Sequence, residues 1–246
     1  MKADPNAQEQ LLQVQGIDPA LQQLAHRRRH LPELAALSTL AGEQSTLEAE
    51  RIRAAGEVEA LDRDIARLER DVEQVRARKE RDSARLAAGT GPARELEALQ
   101  HEIESLNRRQ RELEDAELEL MERREQAQSA LDGLDERLAA TKAQLADTEA
   151  NRDRALAEIA EQEAVHRRSR EPLAEALPPD LLTLYERIRD DTGGVGAALL
   201  RGGRCGGCRL DLSGSEKARM RAAPPDEVVR CEECRRILVR TSESGL

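Results

Sequence analysis

The chain has 246 residues, of which 36% are charged, and a formal net charge of −10; it has one Tyr and neither Phe nor Trp. Aromatic side chains supply much of the apolar area of ordinary cores, so Leu, Ala, Val and Ile must do nearly all the burying. A large globular core is thereby excluded and an extended helical assembly expected; disorder is argued against by regularly spaced leucines and localised Pro and Gly.

The N-terminal stretch MKADPNAQEQLLQVQG has no apolar signal region, and no stretch approaches the roughly 20 apolar residues of a membrane span. A cytoplasmic location is expected. Residues 6–31 carry an apolar stripe of Leu11, Val14, Ile17, Leu21, Leu24 and Leu31, with Asp18-Pro19 and Pro32 read as helix starts or kinks. Residues 1–36 are therefore expected to form an N-terminal helical segment.

Between 37 and 86 apolar residues recur in steps of three and four: Leu37, Leu40, Leu47, Ala54, Val58, Leu61, Ile65, Leu68, Val72, Val75 and Leu86. Gln44, Arg51, Lys79 and Asp82 fill the remaining seam positions of an unbroken heptad register. The stretch AAGTGPAREL (87–96) supplies a helix stop and a proline suited to a new first turn, so the chain should reverse near 88–92. The period then resumes with Leu96, Leu99, Ile103, Leu106, Leu113, Leu120, Ala127, Leu131, Leu134, Leu138, Leu145, Ala155 and Ile159.

Arms of roughly 75 Å and 115 Å follow at 1.5 Å per residue, and each needs the other as partner. Residues 37–171 thus read as an antiparallel coiled-coil hairpin. In such a seam the numbers of facing residues sum to a constant, and the turn allows sums near 178 or near 185; the sequence leaves both open. Stretch 146–170 of the longer arm is left unpaired, and the N-terminal segment matches it in length and is expected to pack there. Seams do not distinguish self from neighbour, so the alternatives are a monomer and a coiled-coil-mediated dimer.

Pro172, Pro178 and Pro179 mark the end of the hairpin, and residues 172–246 read as a short helix plus a small β module. The helix falls at 180–190, with Leu181, Leu184, Tyr185 and Ile188 on one side and Tyr185 as a packing residue. Strands are expected at VGAALL (195–200), RLDL (209–212) and CRRILVR (234–240), and one or two helical turns at SEKARMRAA. All four cysteines lie in this module as two CxxC pairs, Cys205 with Cys208 and Cys231 with Cys234, separated by twenty-two residues. In a reducing compartment such pairs are metal or redox groups rather than disulfides, and no βαβ context supports a redox pair.

Four thiolates suit one tetrahedral Zn²⁺ and leave no open position, which makes the ion structural. Gly206 and Gly207 fit a tight first knuckle because glycine accepts φ > 0. A module with so little core should draw much of its folding free energy from the metal.

Together, the hairpin, LPPDLLTLYERIR, GGVGAALLRGGRCGGCRLDLS and PPDEVVRCEECRRILVR resemble a bacterial family that joins a long coiled-coil hairpin to a C-terminal C4-type zinc ribbon. The resemblance covers nearly the whole chain and implies that Cys205, Cys208, Cys231 and Cys234 are the zinc ligands. Members are described as possible nucleic-acid-binding proteins, and some resemble chaperones or adaptors for a sigma factor, secretion and flagellar components, or messenger RNA. The Ala- and Arg-rich composition suggests a high-GC bacterium, so the adaptor role carries over rather than any one of those partners.

No catalytic constellation is legible: there is no P-loop, dinucleotide fingerprint or HExxH, and His26, His30, His101 and His166 lie scattered on charged helices. The expected role is a non-enzymatic adaptor or chaperone-like protein that binds a protein partner. The runner-up is nucleic-acid binding. Residues 201–240 hold ten Arg or Lys against six Asp or Glu, and Arg201, Arg204, Arg209, Lys217, Arg219, Arg221, Arg235 and Arg236 are the candidate phosphate contacts. Against it, no aromatic residues are available for bases to stack on. HRRRH (26–30) and HRRSR (166–170) read more simply as solvated helix faces.

Overall fold

The computed structural model describes all 246 residues. The chain forms two compact units, one of Ala35–Glu149 and the other of Met1–Leu34 with Ala150–Leu246. No helix is long and apolar enough to cross a membrane.

The first unit is the helical hairpin. It is built from α2 (Pro32–Ala88) and α3 (Ala93–Glu175), each of which extends beyond the unit. Leu47, Val58, Leu61 and Val72 of α2 and Leu106, Leu113 and Leu138 of α3 are buried in the seam. The ion pairs across the arms decide the register. Arg76 with Glu114 and Glu48 with Lys142 have numbers summing to 190, and Arg78 with Glu102 sums to 180. In an antiparallel seam these flanking sums lie symmetrically about the core sum, which is therefore 185 and not 178.

That register puts Arg51 opposite Leu134 and Arg124 opposite Leu61. Each arginine bonds the aspartate that follows the facing leucine. Arg51 meets Asp135, and Arg124 meets Asp62 at 3.0 Å. Lys79 likewise donates to Gln110 at 2.7 Å, and Gln110 donates to Glu114. Arg51, Lys79 and Arg124 thus find partners on the opposing arm, whereas Gln44 donates to Glu48 on its own arm.

The second unit contains α1 (Pro5–Arg29), the last part of α3, α4 (Pro179–Asp191), α5 (Gly214–Ala222) and four short strands. Asp4 caps α1 by accepting from the Asn6 N–H, with Pro5 in the first turn where its missing donor costs nothing. Helix α1 continues through Pro19 and α3 through Pro172, so Pro19 starts no new helix and Pro172, read as the end of the hairpin, still lies within α3. Pro172 sits in the last turn of α3, and tertiary packing outweighs the one lost bond at Pro19.

The strands are β1 (Ala197–Arg201), β2 (Arg204–Cys205), β3 (Val229–Arg230) and β4 (Ile237–Val239), in the order β2-β1-β4-β3. The β1–β4 pair is parallel and the other two are antiparallel. Gly202 and Gly203 turn β1 into β2 with φ of 56° and 71°, values at which a tight two-residue hairpin wants glycine. RLDL does not form the expected strand. Arg209 has φ 63°, which breaks the extended run, and only Asp211 bridges, to Arg204.

Strand alternation gives the sheet two buried faces. Ala197, Ile237 and Val239 pack with Ala7, Leu11 and Val14 of α1 and with Leu181, Tyr185 and Ile188 of α4. Ala198, Leu200 and Leu238 face the other way, onto Met220 of α5, Leu212, Cys205 and Cys231. Leu24 of α1 and Leu31, in the link to α2, pack on the buried Ile159 of α3. The module therefore has more core than composition suggested, because α1 and α4 supply one side of it.

Candidate metal centre

Each cysteine pair sits on the same backbone turn. In the first, the Arg209 N–H donates to the Cys205 carbonyl at 2.8 Å and the Cys205 N–H to Leu210 at 3.0 Å. The second repeats this with Arg235 to Cys231 and Cys231 to Arg236, both at 3.0 Å. The positive φ falls on Arg209 and Arg235, both 63°, immediately after the second cysteine of each turn. It does not fall on Gly206 or Gly207, as expected from sequence.

Those glycines are needed for space instead. A Cβ on Gly206 would lie 2.7 Å from the Leu199 carbonyl oxygen, to which the Gly206 N–H is bonded, and one on Gly207 would lie 2.6 Å from Arg236 Cδ. The second turn carries Glu232 and Glu233 at the matching positions, where β1 is not beneath it.

The two turns bring the four sulfurs within 4.8 Å of one another. Cys205 and Cys234 lie 3.8 Å apart, and Cys208 and Cys231 3.9 Å. A tetrahedral ion with metal–sulfur bonds of ~2.3 Å has sulfur–sulfur edges of about 3.8 Å, so the donor set fits such an ion. It is far too open for disulfides, whose sulfurs sit about 2 Å apart.

Burial pushes the Cys205 thiol up and the Cys231 thiol up to about 12. Burial also raises Cys234, but bonds from the backbone and side chain of Arg236 and from Cys231 and Cys205 outweigh it and bring that thiol down to about 7. Metal-free, the cluster holds protons that a metal must displace.

Two residues that sequence reasoning passed over support the second turn. Ser213 and Glu216 form a reciprocal capping box at the start of α5, and the buried Glu216 carboxylate also accepts the Glu232 N–H at 3.3 Å. Bonds from the Ser213 backbone hold that carboxyl below its usual range. The S-x-x-E pattern was the available signal. Arg240 donates to the carbonyls of Met220, Ala223, Pro224, Pro225 and Glu227 at 2.6–3.1 Å, tying α5 and its following loop to the end of β4.

Residues 204–238 match the model of a C4-type zinc ribbon domain, and residues 14–193 that of the CT398-like coiled coil hairpin domain. The chain belongs to the CT398-like coiled-coil hairpin family.

A Mycobacterium tuberculosis H37Rv member is 41% identical over 98% of both chains. A solved Mycobacterium smegmatis structure is 35% identical with a TM-score of 0.82, covering 98% of this chain and all of that one. CT398 of Chlamydia trachomatis, 22% identical over 95% of this chain and 97% of its own, shares the fold with a TM-score of 0.69.

In this family member the eight basic candidates are differently employed. Arg236 is committed to the carbonyls of Val195 and Thr192 at 2.9 and 3.0 Å. Arg219 is paired with Glu232 and Arg201 with Glu243. Arg204 bonds the Arg209 carbonyl, and the half-buried Lys217 stem covers Gly203. Arg209, Arg221 and Arg235 have exposed side chains.

Proposed function

We propose that the protein is a non-enzymatic, chaperone-like adaptor in which Cys205, Cys208, Cys231 and Cys234 hold one structural Zn²⁺ and the helical hairpin binds a protein partner. The observation that carries the reading is apolar exposure on regular helix. Ile52, Leu118 and Met121 are 69%, 59% and 49% exposed within the hairpin unit. Leu118 and Met121, three residues apart, lie on one face of α3, and such a pair suits a partner helix laid along it. A closed four-thiolate set supports a structural ion, because no coordination position remains for substrate.

The test is an affinity pull-down from native cytosol with the zinc-loaded protein, with and without nuclease and at low and high salt. A protein partner retained after nuclease and high salt is expected, and its loss on Ile52→Glu or Leu118→Glu would place it on the hairpin. Recovery of nucleic acid alone, released by salt, would overturn the reading. The second reading, nucleic-acid binding, draws on exposed Arg209, Arg221 and Arg235 and predicts a steep salt dependence that charge reversal of these residues removes.

A further inference from the structure

We propose that the outer edge of β3 docks an extended, acidic segment of a partner protein, which adds to the sheet as an antiparallel strand. The proposal deepens the adaptor reading and rests on it.

The sheet ends at β3, whose inner side is fully used by β4. Because the Cys231 N–H donates to Arg236 and the Ile237 N–H turns to Gly196, the N–H and C=O of Arg230 must point away from β4. On that outward side every second N–H meets an acceptor except one. The Val228 N–H donates to the Met1 carbonyl at 3.1 Å, and the Glu232 N–H to the Glu216 carboxylate at 3.3 Å. Arg230, between them, is bonded to nothing in the chain.

One step upstream the edge carries an isolated bridge from the chain's own N-terminal residues. Ala3 donates to the Asp226 carbonyl at 2.8 Å, and Lys2 bridges Glu227 antiparallel.

The open rung lies in a groove of about 560 Å³, lined among others by Val229, Arg230, Arg235 and Arg219 and by Glu227 and Glu232. Arg219 and Glu232 neutralise each other. Arg230 and Arg235 have no acidic partner and outnumber Glu227, so charge favours an acidic occupant. Main-chain bonds would supply the anchorage and the two arginines the selectivity.

Two variants separate the contributions. Arg230→Ala removes the guanidinium and keeps the N–H; Arg230→Pro removes both, and an outward-facing edge position tolerates proline without loss of the β3–β4 ladder. The probe is the end-blocked peptide Thr-Glu-Val-Glu-Val-Glu, titrated into the zinc-loaded full-length protein while amide exchange is followed by NMR. A lysine-for-glutamate peptide and a short deoxythymidine oligomer serve as comparisons.

The acidic peptide is expected to slow exchange of the Arg230 amide roughly tenfold, with weaker binding to Arg230→Ala and none to a folded Arg230→Pro. Unchanged Arg230 exchange at millimolar peptide, equal binding by Arg230→Pro, or preferential protection by the oligomer would overturn the proposal. So would a dimer that Arg230→Pro dissociates, since the edge would then serve a second copy. Pull-downs with both proteins keep the two readings apart. A partner recovered equally by wild type and Arg230→Pro, with no peptide binding, leaves the adaptor and sinks the edge; no partner for either sinks the adaptor itself.

Discussion

Asp18 carries much of the polar organisation of the second unit. Its carboxylate accepts from Tyr185 at 2.6 Å, Arg170 at 2.7 Å and Arg189 at 3.2 Å, while it is 5% exposed. Burial pushes the carboxyl up, but bonds from Arg170 and Tyr185, then the Arg170 charge and the Arg189 bond, hold it below its usual range. Burial and the Asp18 charge drive Tyr185 strongly upward, so it remains a neutral donor. Asp18→Ala should cost about 2–4 kcal/mol, because two partly buried guanidinium groups lose their shared acceptor. A carboxyl depressed in the folded state stabilises fully above its unfolded value and stops doing so as pH falls through the folded one. Wild-type thermal stability should therefore drop below about pH 4, and Asp18→Asn should flatten that dependence; an unchanged acid profile would place the sensitive group elsewhere. At Gly206, alanine would meet the Leu199 carbonyl at 2.7 Å. Competition with a chelator should show clearly weaker metal retention for Gly206→Ala than for Glu232→Ala, which occupies the matching place in the other turn.

At the scale of elements, the hairpin seam trades stability for polar positions. Replacing Arg51 by Leu puts leucine against Leu134 and frees an Asp135 that is already about half exposed. A gain of about 1 kcal/mol is expected in thermal denaturation, since an exposed ion pair contributes little and a leucine facing Leu134 removes part of both side chains from water. A loss would mean that the arginine pairs hold the register. The register has its own check: with metal bound, cysteines introduced at Leu47 and Leu138, whose numbers sum to 185, should cross-link on oxidation, and those at Leu47 and Leu131 should not. The ribbon strands follow a different rule. Three of the four have three residues or fewer, and their stability comes from the alternation that buries each side chain of β4 on one sheet face or the other.

For the whole molecule, metal removal is the decisive perturbation. Tyr185 is the single aromatic residue and is fully buried in the second unit, so near-ultraviolet dichroism reports on that unit alone. Most helical residues lie in α2 and α3, so far-ultraviolet dichroism reports mainly on the hairpin. A chelator should abolish much of the first signal and little of the second, because two of the sulfurs belong to a sheet core while the hairpin seam contains none. Parallel loss of both signals would contradict this division into two units.

Two sequence periods determined most of this architecture. Leucines spaced by three and four specify long paired helices wherever they occur, and two CxxC pairs specify a four-sulfur cluster, because local geometry alone places each pair of thiols on one side of a turn. The capping box at Ser213 and Glu216 is equally local, a pattern of four consecutive residues. What only the tertiary structure decided depends on contacts between distant segments. Sums of 178 and 185 bury nearly the same leucines, and the ion pairs of Arg76, Arg78 and Lys142 across the arms separate them. Pro19 and Pro172 stay helical because packing outweighs one missing hydrogen bond. Gly206 is glycine because β1 passes beneath it, and Asp18 is no helix cap because Tyr185, Arg170 and Arg189 converge on it from more than 150 residues away. Spacing along the chain encodes the elements; the neighbours of a side chain exist only once the chain has folded.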